Sequence, residues 1–148
     1  MSQVEPASSV DLGPIRTLLE ASGLPTSDLA SASPKFLVIR DAGSIVAAGA
    51  LQRFGSAALL RSVVVAPGQR SRGLGRRMTS ELERLAVSCG IVQLVLLTET
   101  APEFFKRQGY RVIERSATPT AVQHSAEFRS LCPSSATCMA KSLRELQV

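Results

Sequence analysis

Residues 63 to 76 read Val-Val-Val-Ala-Pro-Gly-Gln-Arg-Ser-Arg-Gly-Leu-Gly-Arg, and their types and order suit the binding of an anion. A β-branched apolar run stops at Ala66-Pro67. A basic turn with glycines follows, and an amphipathic pattern opens at Gly73. The first turn of such a helix offers backbone N–H groups without intrahelical partners, at the positive end of the helix dipole. Gly73 and Gly75 remove side chains that would hold a phosphate away from the backbone. Arg70, Arg72, Arg76 and Arg77 add forked donors matched to phosphate oxygens.

Two nucleotide motifs fail on this loop. The mononucleotide P-loop ends in Gly-Lys-Ser or Gly-Lys-Thr, and no lysine is present here. The dinucleotide fingerprint needs a third glycine where Met78 stands. The pattern that fits is R-x-x-G-x-G, as Arg70-Ser71-Arg72-Gly73-Leu74-Gly75 after a Val-rich strand. It resembles the acetyl-CoA pyrophosphate loop of the GNAT superfamily of N-acetyltransferases.

The elements that must position this loop follow from periodicity. Asp11 precedes Leu12, Ile15, Leu18 and Leu19, spaced for one helical face, with Pro14 in the first turn and Gly23 and Pro25 at the end. Pro25 to Ser33 reads as a polar turn-like segment. Phe36 to Ile39 is a strand, Asp41 to Ser44 a hairpin turn, and Ile45 to Leu51 and Leu59 to Val65 two further strands of an antiparallel meander. Gly73 to Gly90 carries Leu74, Met78, Leu82, Leu85 and Ala86 at helical spacing. The almost wholly apolar Ile91 to Leu97 predicts a strand buried on both faces. A short helix from Pro102 to Arg107, a strand from Tyr110 to Ile113, and a helix from Thr120 to Leu131 follow. Thr137 to Ser142 is the candidate to close the sheet.

This order is similar to the GNAT fold over nearly the whole chain. Phe36 to Ala50 resembles its second and third strands, and Phe104-Phe-Lys-Arg-Gln-Gly-Tyr110 resembles its Phe-Tyr-x-x-x-Gly-Phe segment, about 30 residues after the loop as is usual. The expected class is α/β (α+β): a mixed, mostly antiparallel sheet splayed between its fourth and fifth strands and flanked by helices. One domain spans residues 1–148.

The resemblance implies that the pantetheine arm of acetyl-CoA enters the gap between those strands. Main-chain groups of Val63, Val64 and Val65 would line it, with Val63 and Val65 pairing with its amides. The N–H groups of residues 71 to 76 would hold the pyrophosphate, aided by Arg70, Arg72 and Arg76, and Phe105 and Arg107 would lie beside the arm. A neutral amine then attacks the thioester directly. Many members place a tyrosine where this chain has Phe105, so the usual acid for the departing thiolate is missing. Tyr110 matches an apolar position and reads as core.

Acceptor contacts are sought on the two splayed strands. Arg61 and Ser62 interrupt an apolar run, and a polar group inside a strand needs a partner. Strand alternation sends one to each face. Arg61 either meets a substrate carboxylate or makes a salt bridge or exposed edge. Thr98 and Glu99 end the buried strand, where Glu99 is a candidate proton acceptor through water; the alternative is a pair of solvated strand-end residues. His124, Asp28 and Glu127 read as surface groups.

A narrower resemblance lies in Ala126 to Met139, with Leu60-Arg-Ser-Val63 and Leu96-Leu-Thr98. These are similar to the ArsN group of GNAT enzymes, associated with arsenic resistance. The resemblance implies a toxic glutamate-like amino acid as acceptor, such as arsinothricin, whose amine loses its charge on acetylation. A protein N-terminus is the alternative acceptor. Cys132 and Cys138 raise a second alternative, a thiol-based metalloid-binding module, against a reading as packing residues of the C-terminal strand. Cys89 reads as a small core residue. No metal site is expected.

Bulk properties set the outer limits. The chain has 148 residues, 45% hydrophobic and 20% charged, the composition of an ordinary globular domain. No apolar run approaches the roughly 20 residues of a membrane span. The N-terminus lacks the regions of a signal peptide, so a cytoplasmic protein is expected. The net charge of +5 concentrates in the loop, and with one Tyr and no Trp there is little to stack on bases, so nucleic acid is not the expected partner. A homodimer is left open.

Overall fold

In the computed structural model, residues 3–70 and 72–144 are described. Among them seven strands form one sheet in the order β1-β2-β3-β4-β5-β7-β6. They are β1 (Val4–Pro6), β2 (Lys35–Asp41), β3 (Ser44–Phe54), β4 (Ala57–Val65), β5 (Gln93–Thr98), β6 (Arg111–Val112) and β7 (Thr137–Ser142). The helices are α1 (Leu12–Ala21), α2 (Leu29–Ala32), α3 (Leu74–Ser88), α4 (Pro102–Arg107) and α5 (Thr120–Gln123). The expected mixed sheet with flanking helices is present. β4 and β5 are parallel, registered Ala57 to Leu59 against Gln93 to Val95, and the pairs β1–β2, β2–β3, β5–β7 and β6–β7 are antiparallel.

The chain divides into two compact units, Met1–Gln52 with Arg61–Leu82, and Arg53–Leu60 with Glu83–Val148. In the first, Ala42 and Gly43 both have positive φ (52° and 82°) at the β2–β3 turn, the type I′ signature that matches strand twist. Ile15 and Leu19, one helical turn apart, bury α1 against Phe36, Val38, Ala48 and Ala50. α3 is drawn close to β3 at Gly49. A Cβ there would stand 2.7 Å from Leu82 Cδ1 and 2.9 Å from Met78 Cγ, so a larger residue requires these buried side chains to shift. Arg40 of β2 binds the carboxylates of Glu5 and Asp11, which ties β1 and the start of α1 to the sheet.

In the second unit, Leu59, Val95, Val122, Phe128, Cys138 and Ala140 form the core. The C-terminal strand does not close an edge. β7 lies between β5 and β6, with Thr98 opposite Thr137 and Arg111 opposite Ala140. The segment read as one helix from Thr120 to Leu131 is broken. Ser125 Oγ donates to Val122 O at 2.6 Å and accepts from Phe128 N at 3.3 Å, taking over bonds a continuous helix would make through its backbone. A single π turn, Glu127–Leu131, follows. Arg115 fastens it, donating to Pro133 O at 2.7 Å and lying 5.8 Å from the centre of the Phe128 ring.

Candidate cofactor and active site

β4 ends at Val65, and Ala66 N donates to Val46 O at 2.8 Å, which anchors the chain as it leaves the sheet. Pro67 and Gly68 turn it, Gly68 at φ 85°. Gln69 N closes the turn on Ala66 O at 3.0 Å. Gly73 adopts φ 76°, a conformation that glycine takes without strain and other residues rarely take. The chain then enters α3, where Arg77 N donates to Gly73 O at 3.0 Å. Leu74 and Met78 are buried, while Arg70, Arg72, Gly73 and Arg76 are exposed. The side chains of Arg70, Arg72 and Arg76 therefore face solvent around the start of α3. Ser71 lies outside the described residues.

Two of these arginines, Arg70 and Arg72, are already held. Arg70 Nε donates to Val65 O at 3.2 Å, and Arg72 bonds Gln69 Oε1 and stands 3.7 Å from Asp41 at the β2–β3 turn. These exposed contacts are weak and easily exchanged for a stronger anion.

Upstream in β4, Ser62 has φ 60° in the middle of a strand. The pleat is interrupted there, and Arg61 and Ser62 do not go cleanly to opposite faces as alternation requires. Both are buried, and Arg61 Nε lies 3.4 Å from Ser62 Oγ. The Arg61 guanidinium grips Asp28 with two bonds of 2.7 Å and donates to Gln52 Oε1 at 3.0 Å. Asp28, read as a surface charge, is buried, and these hydrogen bonds hold its carboxyl below the usual carboxylate range. Glu127 is likewise buried rather than on the surface. His124 is exposed, as expected.

In the second unit, Phe105 is buried on the inner side of α4 and Arg107 is exposed on its last turn. Phe105 meets Tyr110 edge to face at 5.7 Å between ring centres. Tyr110 is core, as its position implies, but its hydroxyl donates to Glu83 Oε2 at 2.8 Å. Lys141 completes the group, donating to Glu83 at 3.1 Å and to Gln108 O at 2.8 Å. Burial and the Glu83 charge push the phenol far above its ordinary pKa. Thr98 is buried and Oγ1 accepts from Ala101 N at 3.0 Å, setting the approach to α4, whereas Glu99 is exposed.

Cys138 is buried in β7, and burial pushes its thiol up to about 11. Cys132 is half-buried, and Cys89, read as core, is only half-buried, because it falls one residue past the end of α3. Among the described residues, no group of three or more His, Cys, Asp or Glu is placed to hold a metal, and no helix is long and apolar enough to cross a membrane. Asp28, Gln52, Glu83 and Lys141 carry no motif. Arg61, a charge inside an apolar strand, was the one sequence signal that a partner existed.

A family model described as an acetyltransferase (GNAT) domain matches residues 32–112, more than half of the 148-residue chain. No curated protein sequence matches the chain. Among solved structures, it is similar to N-acetylglutamate synthase of Neisseria gonorrhoeae complexed with coenzyme A and N-acetyl-glutamate (TM-score 0.83, 19% identity), covering 97% of this chain and 35% of that one. The chain thus spans about a third of the length of that synthase. It is similar to Rv2747 of Mycobacterium tuberculosis in complex with CoA and NLQ (TM-score 0.80, 24% identity), covering 95% and 99% of the two chains. It is also similar to the ribosomal-protein-S18-alanine N-acetyltransferase of Escherichia coli (TM-score 0.73, 18% identity), covering 96% and 94%.

Proposed function

Because the chain belongs to the GNAT acetyltransferase family, we propose that it transfers the acetyl group of acetyl-CoA to the primary amine of a small molecule, an amino acid with an acidic side group. The observation that carries this reading is the exposure of Arg70, Arg72, Gly73 and Arg76 around the start of α3, with Gly73 in a left-handed turn. Helical N–H groups and guanidinium groups there match a pyrophosphate. In this reading the main chain of Val63 to Val65 pairs with the amides of the pantetheine arm; Phe105 and Arg107 keep the part that the family resemblance implies for them.

The amine nitrogen attacks the thioester carbonyl carbon. A C–N bond forms, the C–S bond breaks, and the sulfur leaves as thiolate. The proton shed by the nitrogen passes to solvent, with Glu99, exposed at the end of β5, as acceptor through water. Thr98 fixes the chain beside it. Phe105 has no proton to give, and the Tyr110 hydroxyl is committed to Glu83 with its pKa raised. The thiolate therefore leaves without a side-chain acid.

An amino-acid acceptor is favoured by the N-acetyl-glutamate bound in the Neisseria synthase. The ArsN-like segment from Ala126 to Met139 narrows this to a toxic glutamate analogue such as arsinothricin, and so to arsenic resistance. A protein N-terminus is the second reading, supported by the similarity to the ribosomal-protein-S18-alanine enzyme. The two separate in a thiol-release assay that sets glutamate-like amino acids against short peptides. Turnover of the amino acids is expected. Activity confined to peptides would replace this acceptor with a protein terminus.

A further inference from the structure

A left-handed residue inside a buried strand persists only where its surroundings impose it. Ser62 is such a residue, at φ 60° and buried, and non-glycine residues with positive φ are uncommon outside turns. Its predecessor Arg61 has no exposed side-chain surface and is gripped by two bonds of 2.7 Å from Asp28, at the entry to α2, and by Gln52 at the end of β3. A bidentate pair fixes both position and rotation of the guanidinium plane, and a side chain tethered at that end restrains the backbone at Arg61, next to Ser62. The peptides leaving Ser62 are those of Val63 to Val65. Val63 and Val65 are half-buried, whereas Arg61, Ser62 and Val64 are sealed.

We infer that the Arg61–Asp28–Gln52 cluster is a positioning latch that holds Ser62 in its left-handed conformation and thereby aims the main-chain groups of Val63 and Val65 at the acyl-CoA arm. Arg61 and Asp28 are thus positioning residues rather than contacts to the acceptor. This inference rests on the acetyl-CoA reading above. It adds to that reading the reason a fully buried ion pair stands next to a strained strand residue. A hydrophobic pair of the same volume would support the fold as well or better, but would not impose one backbone rotation.

The latch makes a coupling prediction that packing alone does not. Glycine adopts the left-handed region without the steric cost a Cβ imposes, so Ser62→Gly should make the conformation independent of the latch. Acetyl-CoA affinity of the full chain, read by calorimetry, should fall about tenfold in Asp28→Asn and in Arg61→Lys, a change typical of a modest conformational penalty. Each of these changes combined with Ser62→Gly should return to within about threefold of Ser62→Gly alone, well inside that tenfold step. Ser62→Thr leaves the ion pair in place but adds a β-branched side chain that resists positive φ. It should weaken acetyl-CoA binding even if the latch variants prove too unstable to purify. Equal losses with serine or glycine at 62, or unchanged affinity in Asp28→Asn and Ser62→Thr, would overturn the latch. Failure of the unsubstituted chain to bind acetyl-CoA would instead overturn the acetyltransferase reading on which it rests.

Discussion

Arg61 and Asp28 stand 33 residues apart in the chain and face each other across two hydrogen bonds of 2.7 Å, both side chains almost fully withdrawn from solvent. Removing one partner of a buried pair leaves an uncompensated charge, which costs about 3–5 kcal/mol. Arg61→Ala and Asp28→Ala should each lose stability on that scale in urea denaturation. The double variant that combines Arg61→Met with Asp28→Leu should lose markedly less, because no charge is then stranded. Equal losses in single and double variants would show that volume, not charge, decides the site.

The same carboxylate sets an acid limit. Asp28 is held below its ordinary 3.8 by the Arg61 hydrogen bonds, and Asp11 is held at about 2, chiefly by Arg40. A carboxyl depressed in the folded state adds stability above its unfolded pKa and loses it as pH falls toward the folded value. Unfolding free energy should therefore decline from about pH 4 downward, through the interval between the unfolded and folded values of these groups. Asp11→Asn should flatten that slope in denaturation series at about pH 5, 4 and 3. An unchanged slope would mean that Asp11 does not govern it.

Tyr110 and Glu83 make a third test, since the hydroxyl is committed to the Glu83 carboxylate. Tyr110→Phe removes a buried bond to a charged acceptor and should cost about 1.5–3 kcal/mol of stability. Turnover with saturating acetyl-CoA should stay within a few fold of the unsubstituted chain. A loss on the order of a hundredfold in kcat, with acetyl-CoA affinity retained, is the signature of an acid and would place that role at Tyr110. In the proposed mechanism thiolate departure is not limiting, so Phe105→Tyr should change turnover only modestly.

Gly49 permits the approach of α3 to β3. A Cβ placed 2.7 Å from Leu82 Cδ1 forces that side chain or the helix to move. Gly49→Ala should cost about 1–3 kcal/mol, the range of overpacked cores, and Gly49→Val more. Thermal denaturation reads this directly; a neutral Gly49→Val would contradict so tight a contact.

The parts that local chemistry determines were legible in the sequence. The periodicity of Leu74, Met78 and Leu82 marks α3, and Gly73, at φ 76°, stands in the turn that the sequence places before it. What escaped depends on contacts distant along the chain. β1 is three residues with no alternation to read, and α2 is four residues that look like a turn. The insertion of β7 between β5 and β6 is a pairing that no local pattern encodes. Asp28 and Glu127 look like surface charges because acidic residues usually are. Asp28 is buried because Arg61 claims it. The opposite-face expectation for Arg61 and Ser62 failed at the one residue of β4 whose φ departs from the pleat.

The central claim is that the loop from Arg70 to Arg76 binds acetyl-CoA, and calorimetric titration of the full chain with acetyl-CoA tests it most directly. Gly73 is exposed with open space beside it, so a side chain there disturbs the local turn and the anion rather than the core. The unsubstituted chain should bind with a dissociation constant well below about 1 mM, and Gly73→Glu, which adds negative charge and bulk at the pyrophosphate, should abolish the heat while circular dichroism stays unchanged. Binding no tighter than millimolar in the unsubstituted chain, or full binding by folded Gly73→Glu, would contradict the claim.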